Sequence, residues 1–445
     1  MEHPPRPSPE ALNGSARIPY LFVLDEMEAA GNGDAGVVLW QMLRNVRGRI
    51  DAGSELPGIL LMGESGELLD AVPELRTTLR GMTRLLRETR PDDDTRDGLV
   101  LGCAHLGLWA EGMGACRTAL CFFALAEEMD PERSHLGYHI GRLARKLALY
   151  ELAEPWLKWA HGKARAARQW EVAALCASGL GNLYRQRGNL PLARRFHRFC
   201  LRIARQHGLR TMEGDALYDL AGMSFEFGED ALAMQYVGQA VNAYGAGHGR
   251  IYTLAHDVAY FWIDRSGRFV DAAEMLLALA DYLWEPWRRV LLFSNLARAA
   301  AGAGWLPVFE SAWSETWALV RQNPMQIGHA GALIEIALGA GTLGLWERAG
   351  VAAAEALRIA RQREEGEQIL NAELILEAVR NVSVDDDMTG IRAVFRDRHR
   401  TTNAALDPEV NATSDVLYGA MRTRRDDAPE GPTRSLLVGV SCAVA

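Results

Sequence analysis

His135 and His139 stand four residues apart, a spacing that puts two imidazoles on one helix face, within reach of a single metal ion. No third ligand is visible nearby, and two histidines on a groove-lining helix more often hydrogen-bond a partner. Gly245, Gly247 and Gly249 could form a phosphate loop, but no strand precedes them and they read as a flexible turn. Cys442-Ala443-Val444-Ala445 formally matches a C-terminal prenylation box, a short pattern that chance satisfies easily. The longer signatures are missing: no G-x-x-x-x-G-K-[S/T], no G-x-S-x-G and no H-E-x-x-H. The residues therefore predict no catalytic site, no bound metal and no cofactor, and an enzyme would need a catalytic domain that the sequence does not display.

Composition narrows the classes further. The net charge of −9 argues against a nucleic-acid footprint, and no basic helix-turn-helix pattern is found. Six cysteines occur without a C-x-x-C pair, which indicates neither a zinc ribbon nor a disulfide framework and fits a reducing compartment. The Pro-rich start has no secretory pattern, and no apolar run has the length of a membrane-spanning helix. A cytoplasmic location is the expectation. Of the 48 basic residues only Lys146, Lys158 and Lys163 are lysines, a bias compatible with a GC-rich bacterial gene.

The elements that must position any site come from a recurring pattern. Leu106-Gly107, Gly114, Ala119, Phe123, Ala126 and Pro131 set small residues where two helices touch, a large one filling the gap, and a proline ending the second helix. One 34-residue step on, Ile140-Gly141, Ala153, Leu157 and Ala160 repeat it. Steps of about 40 then give Leu180-Gly181 with Gly188 and Ala193, and Leu220-Ala221 with Gly228 and Ala233. Weaker copies follow around Gly267, Gly304 and Gly344, making seven pairs over roughly 99–363. Turns such as Arg187-Gly188-Asn189 and Ser266-Gly267-Arg268 supply the left-handed conformation that stops a helix.

This pattern resembles the tetratricopeptide repeat, in a bacterial form with repeats of about 40 residues. The resemblance implies an all-α fold, a right-handed α-solenoid of antiparallel helix pairs. Four segments are expected: a disordered tail at 1–19; an N-terminal helical region at 20–95, readable as a degenerate repeat; the array with its capping helix at 96–380; and an irregular, partly mobile tail at 381–445. Within the N-terminal region the helical blocks are Tyr20 to Ala30, Val37 to Ile50 and Gly66 to Thr89. The cap is Gln368 to Arg380. Trp284-Glu285-Pro286-Trp287 could form an apolar contact patch, and Leu436 to Ala445 is an apolar stretch that either frays or docks.

In the tetratricopeptide family the first helix of each pair lines a concave groove. Carrying its ligand-facing positions over by the Leu-Gly step implies His135, Tyr138, His139, Arg142 and Arg145 on the second pair, then Asn182, Arg185 and Gln186 on the third. The fourth and fifth would present Asp215, Tyr218, Asp219, Phe225, Asp257, Phe261 and Asp264, and the sixth Asn295 and Arg298. One half is basic and the middle acidic and aromatic, which suits an extended peptide. The alternative is that these charges only keep helix surfaces soluble. The clamp residues of chaperone-binding relatives are not reproduced, so binding of chaperone tails is not expected.

The resulting expectation is a non-catalytic scaffold holding a protein or peptide partner, with neither nucleic acid nor membrane involved and self-association left open. Two other readings stand beside it. One is a peptide-responsive regulatory sensor resembling bacterial pheromone receptors, the other an accessory subunit of an enzyme complex. Reversing charge at Arg142 and Arg185 together is expected to abolish binding without changing stability.

Overall fold

Apolar residues recurring at helical spacing explain the architecture. Leu136, Ile140, Leu143 and Ala144 are all buried, the i, i+4, i+7, i+8 stripe of an amphipathic helix. The computed structural model describes residues 6–7, 20–52, 72–88, 92–282, 286–322, 328–363, 365–382 and 415–421, and every regular element among them is helical. The chain divides into two compact units, Met1–Leu220 and Ala221–Ala445.

The first unit begins with α1 (Phe22–Ala29), α2 (Gly33–Ala52) and α3 (Arg76–Leu86). Then come α4 (Asp93–Gly112), α5 (Cys116–Met129), α6 (Ser134–Lys146), α7 (Tyr150–Ala166), α8 (Trp170–Gln186) and α9 (Leu190–His207). The unit boundary falls inside α10 (Arg210–Glu226). In the second unit lie α11 (Asp230–Tyr244), α12 (Arg250–Phe261), a π-helical turn Trp262–Ser266 and α13 (Phe269–Leu279). After them come α14 (Pro286–Ala303), α15 (Leu306–Gln322), α16 (His329–Thr342), α17 (Trp346–Arg363) and α18 (Gly366–Val382). A last helical stretch spans 415–421, where Leu417 is fully buried and the carbonyl of Ala420 accepts from the amide of Gly247 at 3.3 Å.

Helices joined by short turns pack on each other and so run antiparallel. α4 lies on α5, α6 on α7, α8 on α9, α12 on α13, α14 on α15 and α16 on α17. Within each unit pairs stack on their neighbours, as α5 on α6 and α7 on α8 in the first unit, and α13 on α14 in the second. This is the all-α, solenoid-type packing that the pattern predicts. The Leu-Gly step has a steric cause. A Cβ on Gly107 would sit 2.8 Å from the Phe123 ring, on Gly141 2.7 Å from Leu157, and on Gly181 2.6 Å from the His197 ring. At each step the bulky side chain of the second helix occupies the space a first-helix side chain would need.

The stop after the first helix is left-handed where the pattern places glycine, as at Gly188 (φ 75°) and Gly267 (φ 63°). In the second pair alanine holds that place, with Ala148 at φ 58°. A Cβ in this region costs about 1–2 kcal/mol, part of which glycine returns as unfolded-state entropy. Ala148→Gly should therefore raise the unfolding free energy by ~0.5–1 kcal/mol in urea titrations. A destabilised variant would contradict the strain.

α5 has no capping side chain of its own; Ala115 occupies its N-cap. The cap comes from α1. Glu26 accepts from the backbone amides of Arg117 and Thr118 at 2.9 and 2.8 Å and from the Thr118 hydroxyl at 2.7 Å. A carboxylate at a helix N-terminus satisfies orphan amides and suits the helix dipole. Of the expected N-terminal tail, Arg6 and Pro7 are described. Gly66 to Ala71, Thr89, Trp284, Glu285, the side chains of Pro286 and Trp287, and Leu436 to Ala445 with Cys442 lie outside the described residues.

Candidate functional site

α6 carries the densest group of expected site residues, and much of it is already engaged. The His139 ring stacks on Phe123, centroids 4.3 Å apart, and meets Tyr138 edge-on at 5.2 Å. Arg142 Nη2 donates to His139 Nδ1 at 3.2 Å. A guanidinium can only donate, so Nδ1 accepts and the ring proton sits on Nε2. Burial, reinforced by Arg142, lowers the His139 pKa to about 4, and burial pushes Tyr138 up to about 12. His135 is lowered too, mainly by burial.

Arg142 is also forked onto Glu111 of α4, with Nη1 2.6 Å from Oε1 and Nη2 bonded to Oε2. Lys146 adds a third bond to Glu111 at 2.6 Å. Two cations and their hydrogen bonds outweigh desolvation and hold Glu111 below the usual carboxylate range. This cluster ties successive first helices together, so reversing Arg142 would set two carboxylates face to face. The expectation of unchanged stability after charge reversal therefore does not extend to Arg142.

Arg145 differs. Its side chain is half-buried and its Nε has no hydrogen-bond partner among the described residues. Burial holds its pKa below the ordinary guanidinium value, the mark of a cation stripped of water without full compensation.

The remaining first-unit residues divide by exposure. Arg185 and Gln186 are exposed on α8, and Asn182 is partly covered. Asp215 and Tyr218 are partly covered on α10. Asp219 faces inward, accepting from the Ser178 hydroxyl at 3.1 Å, with Nδ1 of the fully buried His197 3.1 Å from the same oxygen. Its carboxylate joins α10 to α8 and α9.

Two residues of this face were missing from the expected set. Leu101 and Leu108 of α4 are 59% and 48% exposed. They lie one 34-residue step before His135 and Arg142, so the same register applied to the first pair finds them. Side by side, the four first helices present leucines, then an aromatic and basic group, then amides with an arginine, then acids.

In the second unit Phe225 and Phe261 stack at 3.6 Å. His256 Nδ1 donates to Asp257 at 3.0 Å and its Nε2 accepts from Asn295 Nδ2 at 3.1 Å. Arg298 donates to Glu335 at 2.7 Å and to Asp264 in the π-turn at 3.5 Å. Burial alone would lower the Arg298 pKa, but Glu335 more than offsets it and the net shift is upward. Arg298 and Asn295 are buried and link α14 to α12 and α16.

No family model matches the chain, and no curated protein matches it. Among solved structures it is similar to "TPR2AB-domain:pHSP90-complex of yeast Sti1", with 14% identity over 64% of this chain and 99% of that one and a TM-score of 0.26. The fold is therefore read from the helix pairs themselves.

Among the described residues no group of three His, Cys, Asp or Glu side chains could hold a metal ion. None of the described helices is long and apolar enough to cross a membrane. Burial pushes the thiols of Cys103 and Cys121 up to about 12, which makes them inert at neutral pH.

Proposed function

We propose that the first unit binds an extended segment of another polypeptide across α4, α6, α8 and α10, as a non-catalytic interaction scaffold in the cytoplasm. The observation that carries this reading is Arg145, a half-buried guanidinium whose Nε lacks a partner among the described residues, on a face whose neighbouring helix exposes Leu101 and Leu108. A carboxylate from the ligand would pair with the terminal nitrogens of Arg145, since its Nε is closed to solvent, and apolar ligand side chains would cover the leucines. Asp215, partly covered on α10, favours a basic residue at the opposite end of the segment.

Selection of peptides from a random display library on the immobilised chain provides the ligand for a direct test. Arg145→Gln should weaken a selected peptide ~10-fold, the loss of about 1.4 kcal/mol of charge-assisted hydrogen bonding. Leu101→Asp with Leu108→Asp should weaken it further. Binding that is indifferent to both changes would remove the reading. If the same peptide also altered the scattering radius of the full chain, the sensor reading would gain over a passive scaffold.

A further inference from the structure

α5 buries a carboxylate whose one cation partner, among the described residues, comes from far upstream. The Glu127 side chain has 0% exposure, yet both of its oxygens are taken by one guanidinium. Arg6 Nε donates to Oε1 and Arg6 Nη2 to Oε2, each at 2.7 Å, from 121 residues upstream. The Arg6 side chain is 37% exposed, so it reaches the carboxylate from the solvent side. The neighbouring cation cannot substitute, because Arg47 is forked onto Glu128 at 3.0 and 2.8 Å. Two parallel N–H donors on a planar group fit a carboxylate as an ammonium cannot. A carboxylate buried without that partner is strongly disfavoured.

We propose that α5 carries a guanidinium-binding site built on Glu127, filled in the intact chain by its own Arg6 and open to an arginine supplied on a separate peptide once Arg6 is removed. Prolines at 4, 5, 7 and 9 surround Arg6 in the sequence, which limits the chain entropy lost when the arginine seats. The site is distinct from the first-helix face, since it lies on a second helix and uses no residue of that face.

The test uses the full chain with Arg6→Ala and a labelled peptide of residues 1–10. The variant should melt about 5 °C below the wild type and regain part of that on adding the peptide. The peptide should bind the variant saturably. Its Arg6→Ala form should not bind, and its Arg6→Lys form should bind at least ~10-fold more weakly. The wild-type chain should bind the peptide at least ~10-fold more weakly than the variant does, because the tethered Arg6 competes at a high effective concentration. Glu127→Gln in the Arg6→Ala background should abolish binding. An Arg6→Ala chain that melts with the wild type, or peptide binding that does not distinguish arginine from alanine, would overturn the site. Full replacement by lysine would reduce it to a charge contact and overturn the fork.

Discussion

Arg298→Leu should lower the stability of the second unit by about 3 kcal/mol, because removing one partner of a buried ion pair leaves the others charged in a poor solvent. Glu335 and Asp264 keep 15% and 25% of their side-chain exposure, enough for water to soften the loss without cancelling it. Adding Glu335→Leu should recover much of the deficit, since a buried charged cluster replaced by apolar groups of similar volume is often close to neutral. Urea unfolding followed by Trp fluorescence reads both. A single variant as stable as the parent would mean that Arg298 is solvated in solution, and would return it to the set of residues available to a ligand.

The second large effect is acid sensitivity centred on His139. Its pKa is held at about 4 in the folded chain against an ordinary value of 6.5, so the unfolded chain takes up the proton first as pH falls. The stabilising contribution is complete above pH 6.5, shrinks between 6.5 and about 4, and stops shrinking below that. At about 1.4 kcal/mol per unit the full loss is about 3.5 kcal/mol. His139→Gln keeps an acceptor for Arg142 and has no proton to gain. The difference in unfolding free energy between the two chains should therefore move in favour of the glutamine variant from pH 7 to pH 4. Carboxylates such as Glu111 affect both chains alike and drop out of the difference. Parallel pH profiles would show that the imidazole is not held neutral by its surroundings.

Spacing made the helix pairs legible, because each signal in the pattern has one steric meaning. The glycine of the Leu-Gly step is where a second-helix ring or leucine enters, and Gly188 and Gly267 are where the backbone turns left-handed. Ala148 does the same without glycine and leaves no trace in composition. The candidate face was legible only as a set of positions. Register says which side of a helix a residue occupies but not which neighbour meets it there, and that depends on how the pairs stack. Arg142 and Arg298 read as ligand-facing cations, yet stacking brings Glu111 and Glu335 against them. Phe225 and Phe261, likewise, stack on each other. The pattern assigns Glu127 no role, and its burial and its distant arginine could not be anticipated from local sequence.

The Glu26 cap has a consequence for how the first unit assembles. Stacked pairs can ordinarily form one after another, each needing only its neighbour. The amides at the start of α5 instead wait for a carboxylate 91 residues earlier in the chain. Closing so long a loop costs entropy before any reward arrives, so this segment should fold late and as a block, with a contact order closer to that of a globular domain than of an open array. Unzipping from the N-terminal end one helix at a time is blocked for the same reason: releasing α1 uncaps α5, and the helices between them lose their shared anchor in a single step.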